Sequence, residues 1–197
     1  MIKTKNGLDL PISGTPSAEI DKTTSINSVA VLGSDYSGLK PTMLVKEGDT
    51  VNLGQKLFED KKNPGTFITA PASGSVQSIN RGEKRRFLSL VINVDDSVEP
   101  LEFDASNYNS PQELLIDSGA FSYFRTRPYN RIPEANSTPD AIFVNACDSN
   151  PLAIDPIHVI EQNQELFNDG LSFLHLSYSK SKIFCNYQNT SFDASIA

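Results

Sequence analysis

The chain has 197 residues, 38% of them apolar and 21% charged, with a net charge of −7. This balance excludes a disordered chain and allows one folded domain or two. No apolar run approaches the ~20 residues that cross a bilayer, and the acidic excess argues against general nucleic-acid binding, which needs a basic footprint.

The start, Met1-Ile2-Lys3-Thr4-Lys5, lacks a signal-peptide pattern, because the apolar patch at 8–12 is interrupted by Asp9 and Pro11. A cytosolic protein is expected, with peripheral attachment to a membrane complex left open. Leu8, Leu10 and Ile12 alternate, which predicts an extended segment lying against the body. Val29-Ala30-Val31-Leu32 reads as a compact buried strand ended by Gly33.

From Val45 the apolar positions are separated by single turns. Gly48-Asp49 is a turn signal, Val51 and Leu53 stand two apart, Gly54-Gln55 turns again, and Leu57-Phe58 re-enters the core. Ala70-Pro71-Ala72-Ser73-Gly74 breaks the chain before Val76 and Ile79 resume. Strands follow at 75–80 and 87–94; in the second, Leu88, Leu90, Ile92 and Val94 share one face. Short strands this dense predict a small closed all-β unit. The link between them, residues 81–86, carries four cations. They are suited to an acidic partner or lipid headgroups, or they form a solvated loop that blunts a sheet edge.

Residues 95–109 read as a polar linker. A helix over about 111–118 then has Ser110 as N-cap, Pro111 at its first position, a Ser-x-x-Glu capping box to Glu113, and Gly119 as the C′ residue. Ala141-Ile142-Phe143-Val144-Asn145-Ala146 is a near-continuous apolar strand, as in a parallel sheet covered on both faces. Asp155-Pro156 opens a helix with Ile157, Ile160 and Phe167 on its apolar face and Gly170 at its end. Lys182-Ile183-Phe184-Cys185 is the next strand, completing one βαβ unit; residues 186–197 read as a strand exit and polar tail. The fold class is therefore mixed α+β: a β-rich domain over 1–100 with a barrel core at about 28–95, then an incomplete α/β, Rossmann-like domain over 101–197. Charge marks the same boundary, with 12 basic and 12 acidic residues up to residue 100, and 5 and 12 beyond it.

Cys147 and Cys185 form no disulfide framework or metal signature, and His158 and His175 are isolated. No acid–base pair or nucleophile constellation stands out.

The pieces Glu47-Gly48-Asp49, Gly54-Gln55 and Ala70-Pro71-x-x-Gly74 resemble a biotinyl/lipoyl-type hammerhead barrel. In carriers of that fold a hairpin lysine bears the cofactor, and Lys61 holds that position here. No Met-Lys-Met surrounds it, and Asn63-Pro64-Gly65 follows. A modified carrier lysine and a solvated hairpin lysine are both considered.

A longer resemblance rests on Gly7-Leu8-Asp9-Leu10-Pro11-Ile12-Ser13-Gly14, Phe58-Glu59-Asp60-Lys61-Lys62-Asn63-Pro64-Gly65, Arg125-Thr126-Arg127-Pro128 and Asp148-Ser149-Asn150-Pro151-Leu152-Ala153. These are similar to the A-subunit family of the bacterial Na+-translocating NADH:quinone reductase (Na+-NQR), in one register from Met1 to about Gly170. Family chains are more than twice as long, so the resemblance implies an N-terminal part. It implies a peripheral subunit on the cytoplasmic face of the inner membrane, in an enzyme that oxidises NADH, reduces ubiquinone and exports Na+. The expected partners are the other subunits, especially the membrane-embedded quinone and flavin subunits. NADH, FMN, FAD and 2Fe-2S are expected in those subunits, with ubiquinone as a possible ligand here and no independent catalysis.

The family fold is also similar to the NADH-binding flavoprotein subunit of respiratory complex I. The flavin-cradling glycine loop of that flavoprotein would fall near residues 118–127. Only Gly119 remains there, which implies loss of flavin and NADH binding, because close backbone approach to a phosphate needs glycine. Phe121, Tyr123 and Phe124 are candidates to pack on a quinone ring, with Arg125 or Arg127 donating to its carbonyl. The alternative is that the aromatics are core residues and the arginines pair with neighbours such as Asp117. A docking module without a redox role, associating or partly unfolded beyond about residue 110 when alone, is the remaining expectation.

Overall fold

A computed structural model describes residues 12–148 and 150–186. The alternating residues Leu8 and Leu10, and the polar tail after residue 186, lie outside the described residues. Contacts group the chain into two compact units, 23–138 and 1–22 with 139–197.

The 23–138 unit holds seven strands in two antiparallel sheets. One has the order β1 (Ser28–Leu32), β7 (Phe87–Val94), β6 (Gly74–Arg81), β3 (Thr50–Val51); the other has the order β2 (Pro41–Met43), β4 (Lys56–Asp60), β5 (Phe67–Thr69). Val31, Val51, Leu57, Phe58, Ile68, Val76, Phe87, Leu90 and Ile92 form the core. Each such side chain contributes roughly 1.5–3 kcal/mol when removed from water. Phe58 and Phe87 meet edge to face at 5.1 Å, the arrangement their ring quadrupoles favour.

Two bulges explain apolar spacings that simple alternation does not. The register passes from Lys56↔Thr69 to Phe58↔Ile68, so adjacent Leu57 and Phe58 are both fully buried. It passes from Val76↔Ile92 to Ser78↔Val91, so Val76 and Ile79, three apart, both reach the core. A third irregularity at Asn80/Arg81 corrects the face expected for β7. Phe87 turns inward, and Leu88 is left exposed instead of joining Leu90 and Ile92.

Leu53 also leaves its expected face. β3 ends at Val51, and Leu53 sits in the following turn, donating from its N–H to Ser73 Oγ at 2.8 Å and accepting from Leu101 N–H at 2.9 Å. β1 is an edge strand with only Val31 buried, not a compact buried one. Gly33 after it is fixed by packing, since a Cβ there would lie 2.5 Å from the Phe87 carbonyl oxygen.

Helix α1 (Pro111–Asp117) follows its sequence signals closely. Ser110 Oγ accepts the Glu113 N–H at 3.2 Å. The reciprocal bond goes one residue further out, from Asn109 N–H to Glu113 Oε2 at 2.8 Å. Gly119 is left-handed (φ 80°), and a Cβ would strike the Thr69 side chain at 2.4 Å.

In the other unit, residues 12–22 are exposed and have no regular secondary structure, and Ile12 is not shielded as expected. β8 (Ala141–Asn145) and β9 (Lys182–Asn186) pair in parallel, with α2 (Ile157–Glu161) and α3 (Gln164–Ser177) between them in sequence. Asp155 Oδ1 accepts the Ile157 N–H at 3.0 Å. The single helix expected to end at Gly170 is instead two, broken at Asn163, and α3 runs on to Ser177. Among the described residues, the side chains of this sheet are shielded unequally on its two faces. Ile142 is buried, while Phe143 (74% exposed) stacks on the exposed Phe184 at 5.2 Å.

Two glycines should respond oppositely to alanine. Gly170 is in a helix interior with open space at its Cβ position, so Gly170→Ala should stabilise α3 by about 0.5–1 kcal/mol. Gly74 has φ 151°, and its Cβ would lie 1.9 Å from the Asn93 carbonyl oxygen, so Gly74→Ala should cost about 3 kcal/mol or more. Denaturant titration followed by circular dichroism checks both.

Candidate functional site

Local turns bring residues from four stretches of the 23–138 unit around one cleft. Asp60, nearly buried at the end of β4, accepts the N–H groups of Lys40 and Lys62 on the same oxygen, both at 3.0 Å. Glu59 Oε1 accepts the Gly65 N–H at 2.8 Å, and Asn63 Nδ2 donates to the Pro133 carbonyl at 2.7 Å. The β4–β5 connection is thereby tied on both sides. Lys62 Nζ bridges to the Gly38 carbonyl at 3.1 Å. On the opposite side of the cleft, Thr126 N–H and Oγ1 both donate to the Arg131 carbonyl, at 2.8 and 3.1 Å. This closes a loop that returns Arg131 and Ile132 to the barrel.

The resulting cleft encloses about 200 Å³ and is lined by Tyr36, Leu39, Lys62, Arg125, Arg131 and Ile132 among others. The Arg125 guanidinium lies 5.5 Å from the Tyr36 ring centroid. Its Nη1 donates to the Ser122 and Phe124 carbonyls and its Nη2 to the Asp35 carbonyl at 3.3 Å. Arg125 is thus oriented by main-chain oxygens, which leave its charge uncancelled. Burial, then the neighbouring Tyr123, push the Tyr36 hydroxyl up from its ordinary value, while Arg125 opposes them. Tyr36 stays a neutral donor at physiological pH. The lining is mixed: Tyr36, Leu39 and Ile132 offer apolar and aromatic surface, Lys62, Arg125 and Arg131 are cationic, and Asp60 and Glu134 are carboxylates; the aromatic face and cationic donors suit a small planar ligand carrying carbonyl acceptors.

The sequence candidates are divided by this geometry. Arg125 lines the cleft. Phe121 is closed in the interior, with Phe124 tilted against it at 5.6 Å. Tyr123 is 81% exposed and Arg127 is exposed. Lys61 is exposed on the tied connection. Lys62, a second candidate for the carrier lysine, lines the cleft; Tyr36, Arg131 and Ile132 carry no ligand-facing signal in the sequence, because the loop closure that gathers them is nonlocal. Asp117 partners Lys56 rather than an arginine, and its other oxygen accepts the Tyr108 hydroxyl at 2.7 Å. Among the described residues, no group of three or more His, Cys, Asp or Glu is placed to hold a metal, and no helix is long and apolar enough to cross a membrane.

The fold therefore defines a chain with a small two-sheet β domain and an α/β element carrying parallel strands. Two domain families match it: the NqrA N-terminal barrel-sandwich hybrid domain over residues 2–95, and the NqrA second alpha/beta domain over residues 107–196. The chain belongs to the NqrA family. It is 47% identical over 189 residues to the Na(+)-translocating NADH-quinone reductase A-subunit of Actinobacillus pleuropneumoniae, covering 92% of this chain and 42% of that protein. The corresponding protein of Glaesserella parasuis is 47% identical over 190 residues, covering 93% and 42%. That of Haemophilus influenzae Rd is 46% identical over 181 residues, covering 88% and 40%. The chain spans about two-fifths of the length of these relatives.

The Lys56–Asp117 pair gives a pH signature. The hydrogen bond from Lys56, then that from Tyr108, holds the Asp117 carboxyl below its ordinary value against burial. A depressed folded pKa contributes stability above the unfolded value, lost as pH falls through the folded one. Asp117→Asn should cost about 0.2–1 kcal/mol near neutrality, since the pair is partly exposed. Its deficit relative to the parent should shrink below about pH 4, as measured by urea unfolding at several pH values.

Proposed function

We propose that this chain works within a Na+-translocating NADH:quinone reductase, as a peripheral part of its NqrA component on the cytoplasmic face of the inner membrane. The observation that carries this reading is the colinear match to both family domains. The names of the relatives supply the enzyme, a Na(+)-translocating NADH-quinone reductase; NADH oxidation and quinone reduction coupled to Na+ export are the activity proposed for it. On this reading NADH, FMN, FAD and 2Fe-2S belong to the other subunits, and the chain has no catalytic centre of its own. Its partners are those subunits, the membrane-embedded quinone and flavin subunits above all. The division into domains 1–100 and 101–197 is part of the proposal, supported by the ranges of the two domain matches.

Ubiquinone is the ligand proposed for the cleft. Tyr36, Leu39 and Ile132 would face the ring, and Arg125 with Lys62 and Arg131 would stand near its carbonyls. Of the residues nominated from sequence, Arg125 is the cleft residue; Phe121 and Phe124 would support the turn that presents it, and Tyr123 and Arg127 would lie outside the pocket. The left-handed Gly119 packed on Thr69 supports the reading that the 118–127 loop no longer cradles a flavin, because that glycine serves packing.

In the assembled enzyme, Arg125→Ala should cut covalent capture of a photoreactive ubiquinone analogue on this polypeptide at least fivefold. Arg131→Gln, which leaves the carbonyl contacts of Arg125 in place, should lower it by a smaller factor. Unchanged capture in both variants would remove the quinone reading while leaving family membership intact. The carrier alternative rests on the exposed Lys61, and intact mass separates it: the unmodified mass is expected, and a biotin or lipoate increment would establish a carrier.

A further inference from the structure

The connection between β6 and β7 is a tight hairpin turn with unusual occupants. Arg86 N–H donates to the Glu83 carbonyl at 3.1 Å, closing a four-residue turn. Its two central residues, Lys84 (φ 53°, ψ 30°) and Arg85 (φ 60°), are both left-handed. Hairpin turns that need positive φ at both central residues usually assign them to Asn-Gly. Two long cations hold such a turn here against their backbone preference.

The simplest explanation for cations on a hairpin is protection of a sheet edge. The pairing limits it: β3 meets only Gly74 and Ser75 of β6, so edge protection accounts for Arg81 within the strand, but not for Lys84 and Arg85, which stand in the turn beyond both strands. The charges therefore mark the tip itself. Arg81, Lys84, Arg85 and Arg86 are all exposed, with Glu83 the one carboxylate among residues 81–86. They sit in a chain whose net charge is −7. Leu88, the apolar side chain beside them, is 39% exposed and lies over Gly82, whose added Cβ would meet it at 3.3 Å.

We infer that this hairpin is a docking point for anionic lipid headgroups. Cations clustered at an exposed hairpin tip gain from the surface potential of an anionic leaflet, which a dispersed set does not. An exposed leucine at the base of the cluster suits the headgroup–acyl boundary. An acidic protein surface would use the cations and leave Leu88 without a role. The acidic remainder of the chain would be repelled, so contact is restricted to the tip. The inference does not depend on the quinone reading of the cleft, since none of these residues lines it.

The test is cosedimentation of the chain with vesicles of phosphatidylcholine alone or with about 30% phosphatidylglycerol, at about 50 and 500 mM salt, a range over which surface charge is progressively screened. Binding is expected only to the anionic vesicles at low salt. Lys84→Asn with Arg85→Gly restores the preferred turn residues and removes two charges. It should reduce the partition coefficient at least tenfold while leaving the melting temperature equal or higher. A separate Leu88→Ser variant should weaken binding severalfold without changing its salt dependence. No preference for anionic vesicles, or undiminished binding by the double variant, would overturn the proposal. Capture of an acidic polypeptide without any vesicle binding would overturn it in favour of a protein partner.

Discussion

The β domain depends on closing two small sheets around one core, and the means of closure is the insertion of single residues. Straight strands of this length would keep strict alternation and leave half their apolar positions outside. The irregularities beside Leu57 and Gln77 change parity within the strand. They bring Leu57, Phe58, Val76 and Ile79 to the same interior. They also bend the strands, as bulges do. Gly74 allows the tightest approach, with its backbone against the Asn93 carbonyl where β6 begins. The core and the curvature have one cause.

Closure also shapes the β4–β5 connection. In a swinging-arm carrier the hairpin lysine must reach away from the barrel. Here Asp60, Glu59 and Asn63 spend their side chains on fastening the connection to Lys40, Gly65 and Pro133. Lys62 is drawn back across Gly38. The connection becomes a wall, and the cleft beside it exists because the wall is held. The frame encloses a space bounded by Tyr36, Arg125 and Ile132, while Lys61 stands exposed on the connection.

Local chemistry was readable in the sequence, and displacement was not. Ser110, Pro111, Glu113 and Gly119 each act through neighbours within a few residues, and all four occupy their expected places in or beside α1. Leu88 and Leu53 obey the alternation that predicts burial, and Phe143 sits in a run read as covered on both faces, yet each is exposed. A bulge, a strand end and a less shielded sheet face displaced them, and these depend on partners distant in sequence. Arg125 was legible as a candidate because it sits in an aromatic run. Tyr36, far earlier in the chain, was not, since the Arg125–Asp35 carbonyl bond that joins the two stretches has no local signal.

The departures from local preference separate into two kinds. Leu57 beside Phe58 breaks alternation, yet the core accounts for it fully. Lys84 and Arg85 break the turn rule, and no packing accounts for them: both are exposed, and both stand in the turn outside the paired strands. A sequence specifies its structure when local and global demands agree, and residues that defy both answer to something outside the fold. Arg125 is intermediate, since its carbonyl contacts explain its place but not why a permanent cation should hold it. Carbonyl dipoles orient a guanidinium without neutralising it, so its charge remains available to the cleft.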